Sequence, residues 1–270
     1  MTTTATATAP QHRILTQRHH HTMVITINRP EQRNAVDQAT GAALGQALDY
    51  ADRDSDIRVV VLTGFGRRAF CAGADLKALA RGESTVPEAH PEWGFAGWVN
   101  HTVDVPLIAA VNGPALGGGV ELALSCDLVI AASTASFGLP EVRRGLIAGA
   151  GGVFRLVDQL PHKLAMRMLL TGEPMSASDA RAFGLINEVV PEHLVLSTAM
   201  QLADQIAANA PLAVQSTKRI ALGVRDGRRS GEVTGWELTA AEFPRVLASE
   251  DAREGMRAFA ERRPAVWCGR

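Results

Sequence analysis

Cysteine is scarce in this chain, and the few cysteines present form no recognisable pattern. Cys71, Cys126 and Cys268 are widely separated in 270 residues, with no C-x-x-C pair and no histidine at the offset of a zinc ligand. A disulfide framework or a cysteine zinc site needs regularly spaced ligands. We therefore expect a reduced interior without a metal, in which Cys71 and Cys126 pack as small hydrophobic side chains.

The chain also lacks an excess of charge of either sign. Its 27 Lys and Arg residues and 28 Asp and Glu residues give a formal net charge of −1, and the two signs are interspersed. This pattern offers no basic face for nucleic acid and no polybasic patch for a membrane surface. Small, nearly neutral partners are expected instead.

Long hydrophobic runs are missing as well. Glu121 and Asp127 interrupt the most apolar stretch, so no uncharged run reaches the roughly 18 residues that a membrane-spanning helix requires. The start, MTTTATATAP, lacks the charged and apolar regions of a secretory signal and fits a transit peptide only weakly, so we expect a disordered tail over 1–12. These absences predict a soluble, cytoplasmic protein.

What the chain does contain is an alternation of short β-branched runs with helical patterns. Apolar residues at helical spacing fill the intervals between runs that end in turn residues. Such an alternation predicts an α/β core. The predicted strands are 23–28, 58–64, 107–113, 127–133 and 185–190, and the predicted helices between them are 35–52 and 118–125.

The composition changes after Pro191, where Ala, Leu, Arg and Glu at helical spacing dominate. We predict a core over 13–190 followed by a region over 191–270 that contains helices only. Within the core, residues 81–91 (RGESTVPEAHP) form a loop long enough to be functional or mobile.

Two stretches place a turn rich in Gly and Ala between a β-branched strand and a helix. They are FCAGADLK, residues 70–77, and GPALGGGVE, residues 113–121. Such turns leave N–H groups unpaired at a helix N-terminus, and glycine lets a ligand oxygen approach the backbone closely. An anion hole is one interpretation, and tight packing of each helix on its strand is the other.

Two carboxylates accompany these turns in otherwise apolar surroundings. Glu121 ends the second turn, and Glu141 lies in FGLPEVRRGLIAGAGG, whose glycines predict a helix start near Gly149. An uncompensated buried charge costs several kcal/mol, so a pair of such acids suggests proton transfer. Each glutamate taken alone would more often be exposed or paired.

Two further motifs do not indicate a binding site. GFGRRA, residues 64–69, matches a dinucleotide fingerprint, but no long amphipathic helix follows it, so two turn glycines are the better explanation. The run His19-His20-His21 precedes a strand, where adjacent side chains alternate faces and cannot converge on one ion. A solvated hairpin end is expected there.

Taken together, the motifs resemble the enoyl-CoA hydratase/isomerase (crotonase) family. The resemblance extends over about 14–267 and includes NRPEQRNAV, FCAGADLK, GGGVELALSCD, FGLPE and EGMRAFAERR, with the two carboxylates 20 residues apart. It implies a crotonase-like α/β spiral of β-β-α units. It also implies a C-terminal helical region that drives assembly into a homotrimer or a dimer of trimers.

The resemblance assigns roles to individual residues. It implies that the N–H groups of Ala74 and Gly118 bind the thioester carbonyl oxygen of an acyl-CoA. Glu121 would orient and deprotonate a water molecule, Glu141 would deliver the proton to Cα, and the Gly149 N–H would help to hold the water. Ala148 stands where many hydratases have Pro, and Arg143-Arg144 replace more apolar residues.

The resemblance also implies a binding region for coenzyme A. The matching positions are Ala72, Asp75, Leu76, Lys77, Phe259 and Arg262. For the C-terminal arginines an exposed helix face is an equal alternative. Trp93, Phe95, Trp98 and Trp236 could shape a wide apolar pocket, or they could serve packing and subunit contacts.

Because both glutamates are present, we expect an enoyl-CoA hydratase that adds water syn to a trans-2-enoyl-CoA, with no metal and no cofactor other than the coenzyme A of its substrate. Two alternatives remain open. The departures at Arg143, Arg144 and Ala148 would suit an isomerase or another enolate-forming enzyme of the same family. A non-catalytic acyl-CoA-binding scaffold is possible because a fold does not determine a function.

Overall fold

The computed structural model describes residues 12–270, and the tail predicted over 1–12 lies outside the described residues except for His12. The strands are Ile14–His19 (β1), Thr22–Ile27 (β2), Val59–Gly64 (β3), Leu107–Val111 (β4), Ala115–Leu116 (β5), Leu128–Ala132 (β6), Ser136–Gly138 (β7), Met175–Ser176 (β8), Glu188–Val190 (β9), Val224–Arg225 (β10) and Arg228–Arg229 (β11).

Ten α-helices accompany these strands in the described part of the chain. They are Gln38–Arg53 (α1), Leu76–Ala80 (α2), Gly118–Ser125 (α3), Gly152–Gln159 (α4), His162–Thr171 (α5), Ala177–Ala182 (α6), Val195–Ala207 (α7), Pro211–Ala221 (α8), Val233–Leu247 (α9) and Glu250–Glu261 (α10). Short 3₁₀ helices include Phe95–Gly97, Pro140–Arg144 and Ser230–Glu232.

A six-stranded sheet forms the centre of the molecule, in the order β1-β2-β3-β4-β6-β9. Strands β2, β3, β4, β6 and β9 are parallel, and β1 joins β2 as an antiparallel hairpin that turns at His20. All residues of β3 and β4 are buried, as expected for parallel strands that are covered on both faces. The hairpin confirms the expectation for the histidine run, although β1 itself was not predicted.

A second, smaller layer of short strands winds beside the main sheet. Strand β5 pairs with β7 in parallel, and an isolated parallel bridge joins Cys71 to Ala115 at the start of β5. The chain therefore repeats the same turn three times, as β3, the Cys71 bridge and α2; as β4, β5 and α3; and as β6, β7 and α4. These repeats form the predicted β-β-α spiral. Each places a helix N-terminus after a short inner strand.

The predicted core elements agree with the structure, with shifted ends. Helix α3 has the predicted bounds, whereas α4 begins at Gly152 and not near Gly149. The expectation of helices only after Pro191 is wrong, since β10 and β11 form a small antiparallel hairpin. Its turn contains Asp226 and Gly227, both with positive φ, and this pair is a common signal for a tight hairpin turn.

The C-terminal helices expose large apolar side chains. Leu212 and Ile220 of α8 are 76% and 80% exposed, and Leu238 of α9 is 62% exposed. A contiguous patch of exposed apolar side chains is typical of a surface that associates with other chains. Assembly through the C-terminal region stays a prediction, and the exposed side chains of α8 and α9 are consistent with it. Within residues 12–270, no helix is both long and apolar enough to cross a membrane.

Candidate active site

The glycines before α3 serve two different purposes. Gly119 packs directly on the backbone carbonyl of Cys71, where a Cβ would overlap the oxygen. Gly117 ends the turn with φ of 56° and ψ of −125°, a conformation that strongly favours glycine. The tight-packing interpretation therefore holds for Gly119, and the turn itself depends on Gly117.

The two glycine-rich turns meet in space. A Cβ on Gly73 would lie 2.9 Å from the Gly118 nitrogen and 2.9 Å from the Leu116 oxygen, so the residue before Ala74 touches the start of α3. Among the described residues, neither the Ala74 N–H nor the Gly118 N–H donates a hydrogen bond. The fold thus brings together two unpaired amide donors from separate turns, which is the arrangement that an anion hole requires.

Glu121 is buried and held in place by backbone amides. Its side chain projects from the first turn of α3, and the residue is only 3% exposed. Oε1 accepts hydrogen bonds from the Ala150 N–H at 2.7 Å and from the Gly152 N–H at 2.9 Å. These amides were not predicted, although the run GAGG that supplies them was visible in the sequence.

Glu141 reaches the same region from the 3₁₀ helix that follows β7. Its Oε1 lies 2.9 Å from the position that a Cβ on Gly117 would occupy. Its Oε2 is buried and has no hydrogen-bond partner among the described residues. A buried carboxyl oxygen without a partner is rare in folded proteins and is consistent with a functional group that awaits a ligand.

The electrostatics of the two carboxyl groups favour their neutral forms. Burial raises the pKa of Glu121, against the opposing effects of its two amide donors and of Arg155. Burial also raises the pKa of Glu141, and the nearby charge of Glu121 raises it further, while Arg144 opposes the shift. Two acids in such an environment resist ionising together, so the pair retains a proton near neutral pH.

Gly149 lies beside this pair but under a phenyl ring. A Cβ on Gly149 would lie 2.5 Å from the ring of Phe243, which projects from α9. In the same way, a Cβ on Gly118 would lie 2.5 Å from the ring of Phe95. Two aromatic rings therefore pack on glycines of the candidate site, and only Phe95 was predicted. The role of Gly149 stays a prediction.

The other predicted aromatic residues differ in their surroundings. Trp93 is stacked on both faces, with ring centroids 3.8 Å from His90 and 4.1 Å from His101. Trp98 is 1% exposed and belongs to the core. Trp236 packs edge-on against Phe154 at 5.1 Å. The structure thus provides no single aromatic pocket from the predicted four.

The residues predicted to bind coenzyme A around α2 are only partly free. Asp75 caps α2 by accepting from the N–H groups of Lys77 and Ala78, and its second oxygen accepts from Arg29 at 2.9 Å. Lys77 is exposed, while Ala72 and Leu76 are half-buried. The carboxylate of Asp75 is therefore used by the fold, and the proposed contact with coenzyme A stays a prediction.

The predicted C-terminal contacts lie in α10 and directly after it. Phe259 is 51% exposed, and the Arg144 guanidinium lies 3.7 Å from its ring centroid. Arg262 ends the helix with φ of 55° and is exposed. Both side chains stay predictions for coenzyme A binding. Among the described residues, no group of three His, Cys, Asp or Glu side chains could hold a metal ion.

The chain resembles known proteins over nearly its whole length. A carnitinyl-CoA dehydratase of Salmonella typhi is 43% identical over 256 residues, which cover 91% of this chain and 94% of the relative. The crystal structure of a carnitinyl-CoA hydratase from Mycobacterium avium is 58% identical, with a TM-score of 0.94 over 96% of this chain and 99% of that chain.

A third relative has a different name. The crystal structure of an enoyl-CoA hydratase from Mycobacterium tuberculosis H37Rv is 43% identical, with a TM-score of 0.74 over 96% of this chain and 99% of that chain. The family model described as enoyl-CoA hydratase/isomerase matches residues 17–270. The spiral fold, the paired turns and these likenesses agree, and the chain belongs to the enoyl-CoA hydratase/isomerase family.

Proposed function

We propose that this protein is a hydro-lyase that adds water across the 2,3 double bond of a trans-2-enoyl-CoA and catalyses the reverse elimination. One observation carries the proposal. Two buried carboxyl groups adjoin the two glycine-rich turns: Glu121 accepts from two amide donors, and one oxygen of Glu141 has no partner within residues 12–270. In the same range the Ala74 and Gly118 N–H groups of these turns are unpaired. The proposed reaction needs no cofactor besides the coenzyme A of the substrate.

In this mechanism the thioester carbonyl oxygen accepts hydrogen bonds from the Ala74 and Gly118 N–H groups. Negative charge develops on that oxygen when a nucleophile adds at Cβ, so preorganised donors lower the barrier. Removing one such donor typically costs about 2.7 to 4 kcal/mol of transition-state stabilisation. Phe95 lies against Gly118 and helps to keep this corner dry.

The two glutamates then divide the proton transfers. Glu121, ionised and oriented by the Ala150 and Gly152 N–H groups, accepts a proton from water as the hydroxide bonds to Cβ. Glu141, which is protonated, gives its proton to Cα as the enolate collapses to the thioester. A proton passes from Glu121 back to Glu141 after product release, which restores the starting state.

A second candidate within this proposal is hydration of an enoyl-CoA that carries a quaternary ammonium. Relatives 43% and 58% identical are named as carnitinyl-CoA dehydratase and carnitinyl-CoA hydratase. The carnitinyl group has a hydroxyl on Cβ and a trimethylammonium on the next carbon, so the bond chemistry is the same. Only the surroundings of the acyl end would differ.

A panel of thioesters tests both candidates. Purified protein is incubated with short linear, long linear, ring-bearing and trimethylammonium-bearing 2-enoyl-CoA esters, and with 3-enoyl-CoA, and the products are separated by mass and by retention time. Formation of a 3-hydroxyacyl-CoA supports the proposal, and the preferred ester names the acyl class. Double-bond migration alone would indicate an isomerase, and saturable binding without turnover would indicate a scaffold.

We also propose that the exposed apolar surface of α8 and α9 mediates assembly into a trimer or a dimer of trimers. Leu212, Ile220 and Leu238 contribute the most exposed apolar side chains of these helices. Burying such side chains stabilises association by roughly 25 cal/mol for each Å² removed from water. Light scattering of the full chain tests this proposal, since a monomer at micromolar concentration would contradict it.

A further inference from the structure

A buried ion pair connects the C-terminal region to the helix behind the site. Arg155 of α4 and Glu232 have side chains that are 3% and 13% exposed. The pair is bidentate, with Nε to Oε1 at 2.8 Å and an Nη2 to Oε2 distance of 2.7 Å. A buried pair of this kind is weak evidence for stability, because the desolvation cost offsets much of the attraction. Its position suggests another purpose.

The pair holds together three segments that surround the site. Arg155 also donates to the Val99 carbonyl at 2.6 Å, which fixes the segment that carries Phe95. Glu232 accepts from Arg229 at 3.3 Å and from the Trp236 indole at 3.2 Å at the start of α9. The same helix carries Phe243, whose ring covers Gly149.

Arg155 also lies directly behind the loop that holds Glu121. Its Nη1 is buried without a hydrogen-bond partner among the described residues, and it lies 3.0 Å from the position of a Cβ on Gly151. The next residue, Gly152, donates its N–H to Glu121 at 2.9 Å. Two adjacent glycines therefore separate a buried cation from a buried carboxylate.

The charged groups that act on Glu121 and on Glu141 come from different elements. Glu141 approaches from the 3₁₀ helix after β7 and disfavours a second negative charge. Arg155 approaches from α4 and favours ionisation of Glu121. Arg144 acts on Glu141 from the same 3₁₀ helix. Glu232 pairs with Arg155, and Arg229 pairs in turn with Glu232.

We propose that Arg155 and Glu232 are positioning residues that set the charge state of Glu121, with Arg155 favouring the carboxylate and Glu232 moderating that effect. The inference rests on the proposed function only for its catalytic meaning, since the charge state of Glu121 is measurable without substrate. In the proposed hydration, the pair would decide which of the two glutamates begins the cycle ionised.

A purely structural pair predicts something different. If the pair only holds α9 against α4, then breaking it from either side should perturb Glu121 in the same direction. Electrostatic control predicts opposite directions. Loss of Arg155 removes a positive charge and makes Glu121 harder to ionise, whereas loss of the Glu232 charge leaves Arg155 less compensated and makes Glu121 easier to ionise.

The test is a pH titration of the Glu121 carboxyl carbon by NMR with glutamate labelled at the δ-carbon. All variants carry Glu141→Gln so that one acid of the pair remains, and a further Glu121→Gln variant assigns its signal. The Glu121 midpoint is expected to be lowest in Glu232→Gln and highest in Arg155→Met. The protein with Glu141→Gln alone and the Arg155→Lys variant should share a midpoint between these two. Each step should be on the order of one pH unit.

The proposal would be overturned if the Glu121 titration midpoint moved in the same direction in Glu232→Gln and in Arg155→Met, or if it moved in neither. Removing one partner of a buried pair can destabilise the fold, so circular dichroism is recorded for every variant. If Arg155→Met does not fold, Glu232→Gln alone decides the sign, because only electrostatic control lowers its midpoint. The double variant Arg155→Met, Glu232→Met should lie between the two extremes.

A kinetic measurement connects this order to turnover. With Glu141 restored, the acidic limb of the kcat profile for enoyl-CoA hydration should move in the same order as the NMR midpoints. If the native protein hydrates none of the enoyl-CoA esters, the proposed function is refuted, and the order of the NMR midpoints still tests this inference. If Glu232→Gln and Arg155→Met both turn over substrate with the acidic limb of the kcat profile unchanged, the inference is refuted and the proposed function is not.

Discussion

The carboxyl group of Glu141 lies against Gly117, with Oε1 2.9 Å from the point that a Cβ on that glycine would occupy. The Gly117 carbonyl also accepts a hydrogen bond from the Glu121 N–H at 3.2 Å. One residue of the turn therefore contacts the Glu141 side chain and the Glu121 backbone. The glycine-rich turn thus controls where the acids lie as well as where the Gly118 N–H points.

A side chain at Gly117 should therefore lower activity by more than its backbone strain explains. We expect Gly117→Ala to reduce kcat by about tenfold or more, because the methyl group displaces Glu141 from its position. Gly184→Ala is the matched control, since Gly184 also has a positive φ, of 82°, but a Cβ there would have no neighbour within 4 Å in the described part of the chain. Equal kcat in the two variants, measured at equal stability, would contradict the prediction.

The buried acid should reduce stability as the pH rises. Because the folded state raises the pKa of Glu141 above its ordinary value of 4.5, the folded protein holds a proton that the unfolded chain releases. Stability from this group is then complete below about pH 4.5 and is lost as the pH rises through the folded pKa.

Glu141→Gln removes that dependence and should melt higher than the parent at pH 8, by a few °C, with little difference at pH 5. Thermal melts followed by circular dichroism at both pH values measure the change. A variant that melts lower than the parent at pH 8 would show that the carboxylate stabilises the folded state, contrary to this prediction.

Asp75 should contribute to stability whatever its role towards coenzyme A. Its carboxylate caps α2 and binds Arg29, and although burial raises its pKa, the hydrogen bond from Arg29 and those from α2 leave the pKa below its ordinary value. We expect Asp75→Ala to cost about 1 to 2 kcal/mol in the free energy of unfolding by urea.

The matched control for that change is Asp56→Ala, since the Asp56 side chain is 72% exposed and its pairing with Arg18 is at the surface. That variant should lie within about 0.5 kcal/mol of the parent. Because the pKa of Asp75 is lowered, the difference between Asp75→Ala and the parent should shrink as the pH falls below about 4. A difference that grows on acidification would refute the assignment.

Phe243 should influence which acyl groups are accepted. Its ring covers Gly149 from α9 and is 36% exposed, so its removal opens space beside the two acids. We expect Phe243→Ala to raise kcat/KM for bulky acyl groups relative to short ones by about tenfold, in line with the discrimination that apolar contacts provide. An unchanged ratio across the thioester panel would place the acyl chain elsewhere.

The sequence allowed much of this site to be predicted because the relevant signals are local. Strands rich in β-branched residues, glycine-rich turns and carboxylates in apolar runs are visible in a short window around Glu121 and Glu141. Helix α3 was predicted with its observed bounds for the same reason. The paired turns also fixed the family, which the comparisons confirm.

What the sequence did not reveal depends on contacts between distant segments. The Ala150 and Gly152 N–H groups reach Glu121 across 29 and 31 residues, and the Arg155 pair joins residues 77 apart. Neither contact follows from periodicity or from a motif. Strand β1 was missed because its four exposed residues weaken the apolar pattern that marks a strand.

The division of the proton transfers between Glu121 and Glu141 is tested by the turnover of a trans-2-enoyl-CoA by Glu121→Gln and by Glu141→Gln. Binding of a saturated acyl-CoA to each variant is followed in parallel. We expect kcat for hydration to fall about 100-fold or more in each variant, because each removes one proton transfer, while the dissociation constant of the saturated thioester stays within a few-fold of the parent value. Hydration at the parent rate by either variant would contradict this expectation.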